Sequence, residues 1–313
     1  LSAPIVVVFL EGTVCFAYQI YITGLPAAEN LAVEPITITR IDASWALTRD
    51  HNADVLQIRK ARRVFVIGCG SLGSPVVELL ARGGIGAIDI LDAEFLETPN
   101  VGRHVLGMTS IGQSKAVALA TRLEAEVPGL VVRSYQGSLA EWFRKRRQDE
   151  EYDLVVDCTG ESEVRTLMSR ERSSAFPDVP IVHAWIEPFC AAAHVALTQP
   201  TEPWPPEDPV DHIVNAADYP ATGGKVELPA CNAGFHPYGA ADVWQAAGFT
   251  AERVLCIVDE LQLPSQVWSW VRAQAFFDEL TPRPVTRSVV PQEGTRFDAK
   301  MITRTFGALG IAR

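Results

Sequence analysis

From residue 63 onward, short runs of apolar residues alternate with stretches whose apolar positions recur at helical spacing. Residues 64–67 predict a strand, and residues 75–82 a helix with Pro75 tolerated in its first turn and Gly83-Gly84 as its stop. Residues 88–91 predict a second strand, ending in Asp92. Ala116, Leu119, Leu123 and Val127 share one face of a helix over 114–127, and a strand over 131–135 follows. Further strands are predicted at 154–156, 181–184 and 193–198, with a helix over 163–175 between the first two. Strands alternating with helices in this way predict an α/β fold: a doubly wound, largely parallel Rossmann-like sheet.

The two ends of the chain depart from this rhythm. Residues 5–21 form two apolar runs around Glu11-Gly12, which predicts a hairpin, and the stretch to Asp42 reads as irregular. Residues 1–45 are therefore expected to be an N-terminal extension or the remnant of an upstream domain, and 46–313 the main domain. Residues 199–237 are rich in proline and lack periodicity, so they predict a long crossover loop. Residues 239–261 read as a helix, 267–279 as a further helical run and 285–290 as a strand.

Composition narrows the function classes. At 313 residues, 48% hydrophobic and 21% charged, the chain has the makeup of a globular protein. No run reaches the length of a bilayer span. A net charge of -11 would repel a phosphate backbone, so nucleic acid is not expected as a partner. The six cysteines stand singly, without a C-x-x-C pair, which predicts a reduced, cytoplasmic setting and no structural zinc.

The strongest local signal is Gly68-x-Gly70-x-x-Gly73, containing Ser71, placed between a strand and a helix, with Asp92 at the end of the next strand. Glycines there let backbone N–H groups and a helix N-terminus approach phosphate oxygens, while the acid accepts ribose hydroxyls. This fingerprint alone leaves NAD and ATP both open. The residues that follow favour ATP: Asn100, Arg103, Lys115 and Asp157 near a phosphate loop suit a triphosphate with magnesium, whereas a hydride-transfer enzyme needs a nicotinamide site and a proton donor. Taken singly, Arg103 and Lys115 could be solvated surface charges, and Asp157 could cap a helix.

The ordered set Asp92-x-Glu94, Asn100-x-x-Arg103-His104, Gly112-x-x-Lys115-Ala116 and Asp157-Cys158-Thr159-Gly160 resembles the ThiF/MoeB-type adenylating family. That family includes ubiquitin-activating enzymes and the activators of sulfur-carrier proteins. Its pattern runs D-x-D, N-x-x-R-Q, G-x-x-K-A and D-C-T-D, and the resemblance covers roughly residues 49–261. It implies adenylation of the C-terminal carboxylate of a small ubiquitin-like protein. Arg103 and Lys115 would neutralise the phosphates, Asn100 would bond to them, Asp92 would take the ribose, and Asp157 would hold Mg²⁺. Glu94 belongs to the same nucleotide-binding set. The alternatives are a sulfur-carrier or peptide adenylyltransferase that stops at the acyl-adenylate, or a non-catalytic nucleotide-binding scaffold.

Two further residues are singled out by the resemblance. Arg49 lies where the family carries an arginine that crosses a homodimer, although Arg40 competes for the role. Cys231, before the helix that follows the crossover loop, is the expected thioester nucleophile, with His236 near it in sequence. The rival reading of Cys231 is a small buried hydrophobe. Cys69, Cys158 and Cys256 read as core. Gly160 in place of the family's second acid, and His104 in place of Gln, are departures. Several phrases, among them His236-Pro-Tyr-Gly-Ala-Ala-Asp242, look closer to a bacterial branch. Members of that branch are joined to a ubiquitin-conjugating-like domain and serve antiviral defence.

Overall fold

A computed structural model describes residues 4–12, 14–22, 31–47, 55–145, 151–220, 226–228 and 231–311. The chain divides into two compact units, Leu1–Arg49 and Asp50–Arg313.

In the first unit, β1 (Ile5–Glu11), β2 (Val14–Ile22) and β3 (Leu31–Ile36) form an antiparallel meander. The predicted hairpin is present, with Phe9 opposite Phe16 and their rings stacked at 5.0 Å. The irregular stretch expected before Asp42 is corrected: β3 pairs with β2, and Asp42 caps the short helix α1 (Ala43–Ala46) by accepting from the Trp45 N–H. Pro35 and Glu34 hid the strand, since both residue types are sparse in strands and are tolerated at an edge.

The second unit opens with α2 (Leu56–Ala61), then β4 (Arg63–Ile67), α3 (Gly73–Arg82), β5 (Ala87–Asp92), α4 (Lys115–Glu126), β6 (Val131–Gln136), α5 (Leu139–Lys145), β7 (Leu154–Asp157) and α6 (Ser162–Ala175). β8 (Ile181–Ile186) and β9 (Ala192–Thr198) follow, then the short strands β10 (Ala217–Asp218), β11 (Val226–Leu228) and β12 (Cys231–Phe235). The chain continues through α7 (Ala240–Asp259), β13 (Gln266–Arg272), α8 (Gln274–Asp278), β14 (Val285–Thr286), β15 (Ala299–Thr305) and α9 (Phe306–Leu309). Eight of these strands make one sheet in the order β15-β13-β9-β8-β7-β4-β5-β6. Strands β8 through β6 in that order are parallel, and β9, β13 and β15 are added antiparallel.

Helices cover both faces of the parallel strands, so those strands are continuously apolar. Val64 and Val66 of β4 point to the side packed by α3, α4 and α7, while Phe65 and Ile67 point to Trp142 of α5 and Met168 of α6. The helix α2 is tied to α7 by Arg59, which is 2% exposed and donates to both carboxylate oxygens of Asp259 at 2.8 Å.

Three expectations in the C-terminal third are corrected. The helical run over 267–279 is the strand β13 followed by the short α8; β13 lies between β9 and β15, and its alternation of Val and Trp with Ser suits a pleat. The strand expected over 285–290 is only the two-residue β14. Cys256 is exposed rather than core, because its position on α7 faces away from the sheet. Among the described residues of the crossover stretch are a π-helical turn at Val210–Val214 and the antiparallel pair β11–β12. Among the described residues, no helix is long and apolar enough to cross a membrane.

Candidate functional site

The site grows from the turn that joins β4 to α3. Gly68 adopts φ +82°, a conformation that disfavours any residue with a Cβ, and its N–H donates to the Leu91 carbonyl at 2.8 Å. A Cβ on Gly73 would lie 1.9 Å from the Gly68 carbonyl oxygen, so only glycine lets α3 start this close to the strand end. At Gly70 an added Cβ would meet nothing within 4 Å, so that side of its Cα faces open space, while its carbonyl accepts from the Ser74 N–H at 2.9 Å.

The turn is pinned at three points. Asp92 Oδ2 accepts from the Cys69 N–H at 2.7 Å while its Oδ1 accepts from the Glu94 N–H at 2.7 Å. His104 Nδ1 accepts from the Leu106 N–H at 3.0 Å, so its proton sits on Nε2, which donates to the Cys69 carbonyl at 2.6 Å. Ser71 Oγ and Tyr238 Oη share a hydrogen bond of 2.7 Å. Burial holds the His104 imidazole pKa down at about 4 and pushes the Cys69 thiol well above its ordinary range, an effect the neighbouring Asp92 adds to.

Above the turn, at the C-terminal ends of the parallel strands, lies a cleft of about 500 Å³. Such sheets bind ligands at this edge. Gly68, Gly70, Ser71, Asp92 and Glu94 line one part of the cleft, and Thr159, Glu161, Trp185 and Tyr238 are among the residues lining the rest. Lys115 stands beside it: its side chain is 4% accessible, and Nζ reaches Glu94 at 2.5 Å, while Glu94 itself is 72% accessible. Arg103 lies across the Tyr238 ring, with its guanidinium carbon 4.7 Å from the ring centroid. Asp157 ends β7 beneath the cleft, 1% exposed. Its Oδ1 accepts from the Thr159 N–H and hydroxyl at 2.9 and 2.6 Å, and its Oδ2 is 2.9 Å from His183 Nδ1.

Of the expected residues, Gly73, Asn100, Arg103, Lys115 and Asp157 are not among those lining the cleft. Asn100 closes a 3₁₀ turn at Thr98–Asn100, with its Oδ1 accepting from the Glu97 N–H at 3.0 Å. Cys231 opens β12 opposite Leu228 in the backbone pairing. Arg49 lies outside the described residues. Sequence reasoning assigned no role to Glu161, Trp185 or Tyr238. Glu161 directly follows Gly160, and its carboxyl is held above the usual range first by burial and then by the charges of Asp157, Glu163, Glu94 and Asp92. Trp185 Nε1 donates to Asn215 Oδ1 at 2.9 Å and Tyr219 Oη donates to Glu187 Oε2 at 2.9 Å, so both side chains tie the crossover segment to the end of β8. These are long-range contacts with no local sequence signature.

The chain is similar in sequence to known proteins. Over 144 residues the chain is 37% identical to the ATP-dependent ubiquitin transferase-like protein Cap2 of Enterobacter hormaechei subsp. hoffmannii, a match spanning 44% of this chain and 23% of that protein. It is 36% identical over 115 residues to the adenylyltransferase and sulfurtransferase MOCS3 of Xenopus laevis, covering 36% of this chain and 25% of that one. The matched region is thus about a quarter of the length of these relatives. Among solved structures, Escherichia coli MccB with AMPCPP and MccA superposes with a TM-score of 0.52 at 18% identity, over 77% of this chain and 67% of that one, which shows a shared fold. Residues 43–222, more than half of the sequence, match the profile of the ThiF family, and the chain belongs to that family.

Proposed function

We propose that the chain adenylates the C-terminal carboxylate of a small ubiquitin-like protein with ATP. The observation that carries this reading is one cleft lined by a glycine phosphate turn, by the Asp92 carboxylate at the next strand end and by Glu94, which the buried Lys115 ammonium pairs with from behind the lining. The substrate carboxylate oxygen attacks the α-phosphorus, the bond to the leaving pyrophosphate breaks, and an acyl-adenylate forms. No protein nucleophile is required for that step; the chain positions the groups and stabilises charge. With the Gly68 and Cys69 N–H groups committed to the Leu91 carbonyl and Asp92, the backbone N–H groups of residues 70–73 would take phosphate oxygens. Lys115, released from Glu94, and Arg103 would offset the phosphate charge, Asn100 would bond to it, and Asp92 would orient the ribose.

Asp92, Glu94, Asp157 and Glu161 make this end of the sheet acidic, so a triphosphate is expected to enter with a cation. Mg²⁺ keeps several waters and takes one or two carboxylates plus substrate phosphates. The all-oxygen donor set fits that habit, and the Asp157 Oδ2, which has one hydrogen-bond partner, is the position that would hold the ion. Bound there, Mg²⁺ would supply charge neutralisation at the phosphates. Among the described residues no group of three or more His, Cys, Asp or Glu could hold a metal without such help.

In the second stage the Cys231 thiolate would attack the acyl carbon and AMP would leave, giving a thioester. The chain would act as a homodimer, with Arg49 reaching the partner's nucleotide. Cap2 is named an ATP-dependent ubiquitin transferase-like protein, which supports a ubiquitin-like partner; a conjugating-like protein would receive the thioester. The test is exchange of labelled pyrophosphate into ATP in the presence of a small ubiquitin-like protein with a free C-terminus. Lys115→Ala and Asp157→Ala should each cut exchange by about 100-fold or more while the far-UV spectrum stays native. Full exchange in both variants would remove the phosphate and magnesium assignments.

A further inference from the structure

The geometry points to Tyr238 as a positioning residue that holds the Arg103 guanidinium at the mouth of the phosphate turn. The inference rests on the reading that ATP occupies the cleft. Arg103 follows Asn100 in a tight turn, where the N–H groups of Arg103 and His104 both donate to the Asn100 carbonyl, at 2.9 and 3.0 Å. His104, the next residue, anchors that backbone to the Cys69 carbonyl. The main chain at Arg103 is therefore fixed relative to the phosphate turn, and Tyr238 is a contact that orients the long, rotamer-rich arginine side chain. Its ring lies under the guanidinium at 4.7 Å, and its hydroxyl bonds to Ser71 of the same turn at 2.7 Å.

An arginine over an aromatic face keeps its charge and its planar set of donors. Stacking lowers the entropy cost of holding the guanidinium in one orientation. Because Tyr238 stands three residues after the end of β12, the arrangement also makes nucleotide binding depend on the segment that leaves that strand. Tyr238 acts through Arg103, so its contribution should vanish when Arg103 is absent.

The experiment is a double-mutant cycle on the dissociation constant of ATP with Mg²⁺, measured by calorimetry on the full chain, with pyrophosphate exchange recorded alongside. Tyr238→Leu should weaken ATP about tenfold, the order expected of a desolvated cation–π pair. Arg103→Ala should weaken it more, and the double variant no further than Arg103→Ala alone. Tyr238→Phe keeps the ring and loses only the Ser71 bond; it should stay within about threefold of the parent and guards against a Tyr238→Leu chain that fails to fold. Strictly additive losses would mean that Tyr238 merely supports the fold, and a Phe variant as weak as the Leu variant would mean that the hydroxyl matters and the stacking does not; either overturns the inference. Coupling without pyrophosphate exchange would leave the inference standing and sink the adenylation reading, whereas no ATP binding by the parent chain would sink both.

Discussion

His104 gives the site a pH dependence whose size follows from its surroundings. Its Nδ1 faces the Leu106 N–H and its Nε2 donates to the Cys69 carbonyl, so an added proton on Nδ1 would point at another donor. Burial comes first among the causes that bring its pKa to about 4, and the Lys115 charge acts in the same direction, against the Cys69 hydrogen bond and Asp92. In the unfolded chain the group titrates near its ordinary value of about 6.5. Between these values the unfolded chain binds a proton that the folded chain refuses, so stability rises with pH across the window. The contribution is complete above about pH 6.5 and is lost as pH falls toward 4. From pH 7 to pH 5 the loss from this one group is about 2 kcal/mol. His104→Gln isolates it, because the amide can donate and accept as the neutral imidazole does but does not titrate. Urea unfolding of both proteins at pH 7 and pH 5 should show the parent losing about 2 kcal/mol more than the variant. Equal losses in the two proteins would refute the burial argument and the tautomer together.

Two other substitutions probe the site. Gly73→Ala places a Cβ 1.9 Å from the Gly68 carbonyl oxygen, a backbone atom that cannot swing away, so it should cost about 3 kcal/mol in denaturant unfolding and weaken ATP binding; parental stability in this variant would contradict the packing. Cys231→Ala should leave pyrophosphate exchange intact and abolish a thiol-sensitive adduct with the ubiquitin-like partner on denaturing gels; a surviving adduct would move the nucleophile to another cysteine, and no adduct in the parent chain would leave the reaction at the acyl-adenylate.

The parts of the structure that were legible in the sequence are those whose causes are local. The turn at 68–73 announces itself because Gly68 needs a positive φ and Gly73 needs the space of a missing Cβ, and both demands fall within six residues of chain. The parallel strands β4, β5, β7 and β8 read as apolar runs because helices bury both their faces. The strand β13 did not, since Val267 to Val271 with two tryptophans satisfies a helical count as well as a pleat, and only pairing with β9 and β15 decides. Edge strand β15, mostly exposed and carrying Lys300, Thr303 and Arg304, offers no hydrophobic period to find. Within the site, Asp92, Glu94 and Lys115 could be named from motif order, but the meeting of Arg103 with Tyr238 joins residues 135 positions apart and leaves no trace in either neighbourhood. Cys256 reads as core in the sequence yet is exposed for a related reason: apolar neighbours in sequence do not show which side of α7 meets the sheet.

The central claim is that this cleft takes a nucleoside triphosphate for adenylation and not a dinucleotide for hydride transfer. Calorimetric titration of the purified chain with ATP and Mg²⁺, and separately with NAD⁺, tests it most directly. The account predicts saturable, magnesium-dependent ATP binding and no heat with NAD⁺; NAD⁺ binding in place of ATP would contradict it and return Arg103, Lys115 and Asp157 to the role of structural charges.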